Sequence, residues 1–183
     1  ILTTDGYWNR AFSRPAGMQS NADGTNGPNG YVAEAPYSDA YHNTLADVAM
    51  HYWKTDLRPG ADMPNNVPTT AANPANWQHM VTFGLSLGAR GTVNPLGPYP
   101  GEEGGLAAWP DPIANHPDNT TAEIPARIDD LLHAAINSRG RFIAASNPRE
   151  FADGLEAALA AIEERTGSFS NVAANSTSLR RPA

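Results

Sequence analysis

Asp5 follows a short apolar run, residues 1–4, and precedes Gly6. A run of that kind reads as a buried strand ending in a turn, which places a carboxylate at the carboxyl end of the strand. In an open α/β sheet, ligands collect outside that edge. The chemistry this suggests is the binding of a hard cation, because Mg²⁺ and Ca²⁺ prefer carboxylate and hydroxyl oxygens. One aspartate supplies too few of them and alone would bind weakly. A second oxygen-rich stretch holds Asn21, Asp23, Asn26 and Asn29 among glycines, a composition suited to Ca²⁺. It lacks the Asp-x-Asp-x-Asp-Gly register and distal Glu of an EF-hand loop, so the ordinary reading is a turn-rich loop.

The other reactive side chains point to no catalytic constellation. His42, His51, His79, His116 and His133 show neither His-x-x-x-His nor His-Glu-x-x-His spacing, so a zinc hydrolase has no support. His51 and His133 fall in helical patterns and read as structural histidines. Glu102-Glu103, Asp129-Asp130 and Glu163-Glu164 are adjacent in sequence, and neighbours on a helix face different ways; they read as solvated faces. There is no nucleophile elbow and no phosphate-binding glycine loop. Of Trp8, Trp53, Trp77 and Trp109, the second and third read as core residues, whereas Trp109, within a proline-rich stretch, reads as an interaction residue.

Bulk properties narrow the field further. The chain has 183 residues, which fits one domain, and its net charge of −7 argues against a phosphate backbone as partner. The absence of cysteine excludes disulfides and thiolate metal sites. Its apolar stretches are far shorter than a membrane span, and no basic-then-apolar signal peptide opens it. Sixteen Gly and sixteen Pro predict long irregular connections.

These connections fall at residues 9–43 and 91–122. Between them, Leu45, Val48, Ala49 and Tyr52 repeat with helical spacing, capped by Asn43 or Thr44 and stopped by Arg58-Pro59. Val81, Phe83, Leu85 and Leu87 alternate as in a strand, with Gly84 marking the close approach of a helix. Ile124, Ile128, Leu131, Leu132 and Ala135 predict a helix between Pro125 and Gly140. A strand follows at 141–145. Asn147-Pro148-Arg149-Glu150 then offers a cap for a helix carrying Phe151, Leu155, Leu159 and Ile162, ending at Gly167. Residues 168–183 read as a polar linker or the start of a following domain. The alternation predicts an open, mainly parallel sheet flanked by helices, an α/β fold.

Ile1-Leu2-Thr3-Thr4-Asp5-Gly6 resembles the aspartate-bearing segment of a von Willebrand factor A domain, in which such an Asp helps hold a divalent cation at the top of the sheet. Those domains carry an Asp-x-Ser-x-Ser motif upstream, and none occurs here. The expectation is therefore the downstream, C-terminal part of an A-like domain over 1–167, truncated on its N-terminal side. Longer blocks narrow the resemblance: the run from Ile1 through Tyr7-Trp8-Asn9, Asn43 through Met50 into Tyr52 through Pro59, Trp77 through Phe83, Ala126 through Leu131 to Gly140-Arg141-Phe142, and Asn175 through Leu179. Together they are similar to the N-terminal region of the PilC/PilY proteins, type IV pilus biogenesis factors and tip-associated adhesins.

That resemblance implies an exported, non-enzymatic protein of a Gram-negative bacterium, at the pilus tip, cell surface or outer membrane and periplasm. It implies an A-type domain ahead of a β-propeller-like one, acting in pilus biogenesis, retraction control, surface sensing and adhesion. Asp5 would be the retained metal residue for Mg²⁺ or Ca²⁺. Partners would be pilins, minor pilins or host surface ligands. The rival readings are a Rossmann-like enzyme fragment with a catalytic Asp5, and a purely structural spacer.

Overall fold

The structure, a computed structural model, describes residues 1–7, 14–113 and 124–175, with side chains described as far as Glu164. Trp8, His116 and residues 176–183 lie outside the described residues. Three parallel strands form the sheet: β1 (Leu2–Thr4), β2 (Gly84–Leu87) and β3 (Phe142–Ala145), in the order β1-β2-β3. Leu2 pairs with Gly84, and Gly84 in turn with Phe142. All three carboxyl ends therefore lie on one edge, with Asp5 immediately past β1. The predicted parallel α/β arrangement is present.

Helix α1 (Leu45–Lys54) starts where the pattern places it, and Thr44 closes a reciprocal capping box with Asp47. It stops at Lys54, short of Arg58-Pro59. Helix α2 (Ala126–Asn137) lies between β2 and β3 in sequence and packs against α1. Gly84 faces Leu131 of α2, while Ile143, the next position along β3 from Phe142, faces Gly154 of α3 (Pro148–Asn175). Successive strand residues point to opposite faces, so α2 and α3 cover opposite sides of the sheet. The main core, Ile128, Leu131, Leu132, Ala135, Phe142, Val93 and Trp109, fills the α2 side.

Four differences from the sequence pattern have physical causes. Strand β1 was expected to be buried, but Leu2 is 46 % exposed, because β2 is its sole strand partner among the described residues. Strand β2 begins at Gly84 rather than Val81, since the Thr82 amide donates to Ser138 Oγ at 2.8 Å rather than to a neighbouring strand. Helix α3 continues through Gly167 to Asn175; one glycine costs a helix only about 1 kcal/mol relative to alanine. Trp109 is core, not an exposed anchor: it is 4 % exposed and its Nε1 donates to the Pro36 carbonyl at 2.8 Å.

Gly84 is a steric constraint on the packing of α2 against the sheet. A Cβ there would lie 2.7 Å from Phe142 Cδ2 and 3.2 Å from Leu131 Cγ. Gly84→Val should therefore destabilise the fold by about 1–3 kcal/mol, measured as a lower urea midpoint at unchanged m-value. An unchanged midpoint would mean that α2 does not press on the sheet at this point.

Candidate functional site

Among the described residues, two places hold side chains that could contribute to binding a cation. The first is the carboxyl edge of the sheet. Asp5 is exposed there, in the bend after β1, where Thr4 Oγ1 donates to the Gly6 carbonyl at 2.6 Å and accepts from the Gly6 amide at 3.1 Å. Beside it a cavity of about 220 Å³ lies between β1 and the first turns of α1 and α2, lined by Thr4, Gly6, Tyr7, Leu45, Arg127 and Ile128 among others. Asp5 belongs to no cluster of three or more carboxylates and imidazoles among the described residues. Of Asn21, Asp23, Asn26 and Asn29, the calcium candidates of the sequence, the three asparagines are hydrogen-bonded to backbone and Asp23 is buried in the interior. Asn21 Oδ1 accepts the Gly24 amide, Asn26 Oδ1 the Ala33 amide, and Asn29 Nδ2 donates to the Lys54 carbonyl.

The second place is interior and was not foreseen. The described part of the irregular segment between β1 and α1 folds along α1 from its first turn to Lys54 and over α2, held by buried carboxylates. Asp47 accepts the amides of Ala22 at 2.5 Å and Thr44 at 3.0 Å, with the Thr44 hydroxyl also at 3.0 Å. Asp130 accepts the amides of Leu45 and Ala46, both at 3.0 Å, and so caps α1 from α2. Asp129 accepts the amides of Thr92 and Val93 and the Thr92 hydroxyl, at 2.8–3.0 Å, fixing the start of the second irregular segment. The Asp129-Asp130 pair is thus a pair of buried brackets, not a solvated face. Adjacent residues on a helix diverge, and here Asp129 holds a loop while Asp130 holds the first turn of α1.

Within this interior lie Asp23, Asp39 and His133, whose ligand-type atoms all fall within 4.8 Å of one another. His133 Nδ1 is 3.3 Å from Asp39 Oδ2, and Nε2 is 3.7 Å from Asp23 Oδ2. The ring stacks on Trp109 with centroids 3.9 Å apart and planes 10° from parallel. Asn137, one turn further along α2, donates to Asp23 Oδ2 at 3.0 Å. Tyr31 Oη donates to the Asp23 carbonyl, and Lys54 Nζ to the carbonyls of Ala22 and Thr25. Burial, with the charges of Asp39 and Asp47 adding, pushes the Asp23 carboxyl up to about 9. Burial likewise raises Asp130 to about 7 against the two amides that favour its charge. His133 is not the satisfied structural histidine expected: Nε2 is buried and has no hydrogen-bond partner. Asp23 and Asp39 lie far from His133 in sequence and in no metal-ligand spacing, so nothing short of the fold could bring the three together.

A parallel α/β unit with a carboxylate at the carboxyl edge and long irregular connections is the class of protein defined so far. Comparison with known proteins places it in a family. The chain is 35% identical over 170 residues, 81% of its length, to type IV pilus biogenesis factor PilY1 of Pseudomonas aeruginosa strain PAK. It is 35% identical over 201 residues, 96% of its length, to PilY1 of strain UCBPP-PA14, and 34% identical over 170 residues to PilY1 of strain PAO1. The chain belongs to the PilY/PilC family. It spans 14–17% of the length of these curated relatives. No family model matches the chain, and no solved structure matches it significantly.

Removing the Asp130 carboxylate strips two amides of α1 of their acceptor. Asp130→Ala should cost about 1–3 kcal/mol, read by chemical denaturation, with Asp130→Asn recovering part of the loss because its carbonyl can still accept. Equal losses for both variants would show that the caps contribute nothing specific.

Proposed function

We propose that this chain is the A-type part of a type IV pilus biogenesis protein, and that it binds a protein partner through a divalent cation held at the carboxyl edge of the sheet, with Asp5 as a metal residue. The observation that carries the reading is the position of Asp5: an exposed carboxylate just past a parallel strand, beside a cavity bordered by the first turns of two helices. A hard cation with an open coordination position there can accept a carboxylate from a partner, so that the ion bridges two proteins. Kinship to proteins named for pilus biogenesis supports a pilin or minor pilin, or a host surface ligand, as the partner, and a location outside the cytoplasm. No helix among the described residues is long and apolar enough to cross a membrane. The role is non-enzymatic: binding, retraction control and adhesion rather than turnover.

The test uses the intact protein. Binding to purified pili should require Mg²⁺ or Ca²⁺ and be lost on chelation, and Asp5→Ala should abolish that dependence. Chelator-insensitive binding of the wild type would contradict the reading and favour a spacer role.

A further inference from the structure

We propose that Asp23, Asp39 and His133 form a second metal site, selective for a first-row transition dication such as Zn²⁺ and distinct from the carboxyl edge of the sheet. Two carboxylates and an imidazole are a mixed oxygen and nitrogen donor set, which suits zinc and its neighbours. Calcium needs six to eight oxygens, and the oxygens of Asp47 and Asp130, the other acids of this interior, are already committed to backbone amides. One ligand atom from each of the three residues lies within 4.8 Å of the other two, a set that a small inward movement brings to the roughly 3.3 Å between neighbouring ligand atoms that tetrahedral bonds of about 2.0–2.1 Å require.

A separate observation points to a missing occupant. His133 is 1 % exposed, yet its Nε2 faces Asp23 without a hydrogen-bond partner. Native interiors rarely leave such an atom unpaired, because an unmet buried polar group is costly. Asn137 Oδ1, on the same helix one turn on, is buried and unpartnered as well. The unpartnered Nε2 faces Asp23 and is the nitrogen left for the ion. Stacking on Trp109 holds the ring plane. A dication would also balance the two acids, to which Lys54 makes no direct bond, its ammonium donating to the carbonyls of Ala22 and Thr25. A small cleft of about 130 Å³, lined by Ser38, Asp39, Tyr41, Pro100 and Trp109, opens on Asp39 and gives an ion a way in. Asp23 and Asp39 come from the irregular segment and His133 from α2, so the ion would clamp one to the other.

The intact protein, stripped with chelator and dialysed against trace Zn²⁺ in millimolar Ca²⁺, should retain about one Zn²⁺ more per chain than Asp39→Asn or His133→Gln treated alongside. Those variants should bind at least about 100-fold more weakly at this site, beyond what loss of an outer-shell contact causes. Co²⁺ in its place should give the visible absorption of a four- or five-coordinate ion in the wild type, so the proposal does not depend on either variant folding. Asp5→Ala should leave both signals intact, which separates this site from the cation of the proposed function. Equal zinc content in wild type and folded variants, or no Co²⁺ absorption in the wild type, would overturn it.

Discussion

Buried carboxylates that take backbone amides as partners anchor the described parts of the two long irregular segments and the start of α1. Asp47, Asp129 and Asp130 sit on two helices that pack against each other; Asp47 and Asp129 reach out to segments with no ladder of their own, and Asp130 to the first turn of α1. A buried loop must satisfy its N–H and C=O groups somewhere, and a carboxylate that accepts two or three amides does so with charge-assisted bonds. The cost is desolvation of the charge, visible in the raised carboxyls of Asp47 and Asp130. The sheet itself is small, with strands of three and four residues, so these brackets, with the aromatic cluster of Tyr31, Trp53 and Trp77, position much of the chain.

The same principle explains why the interior acids do not all behave alike. Asp47 and Asp130 each accept at least two amides, which favour the charged form against burial. Asp23 is left with Asn137 Nδ2, a long contact from the Asp39 amide and the imidazole edge. It is the acid whose charge is worst served, and it lies beside a histidine nitrogen with no partner. The irregular segment has thus converged on a point where a positive charge is wanted.

Periodicity in the sequence was enough to place α1, α2, β3 and the parallel order, because each has an apolar repeat and a cap that acts locally: Thr44 with Asp47, or Asn147 with the amides of Arg149 and Glu150. Gly84 could be read as a close approach for the same reason. The acids could not be read. An Asp-Asp pair on a helix looks solvated unless the loops that cover it are known, and those loops have no period. Trp109 and His133 were misassigned for one shared reason: their stacking joins two segments that come together only through the fold. Asp5, by contrast, stands where the pattern puts it, just past the end of β1.

Native-state hydrogen exchange tests the central claim most directly, by following the amides of Ala22, Asp23, Thr92 and Val93. If buried carboxylates anchor the irregular segments, these four amides should exchange slowly, with protection approaching that of Leu85 in the central strand. Exchange at the rate of an open loop, while Leu85 stays protected, would contradict the account.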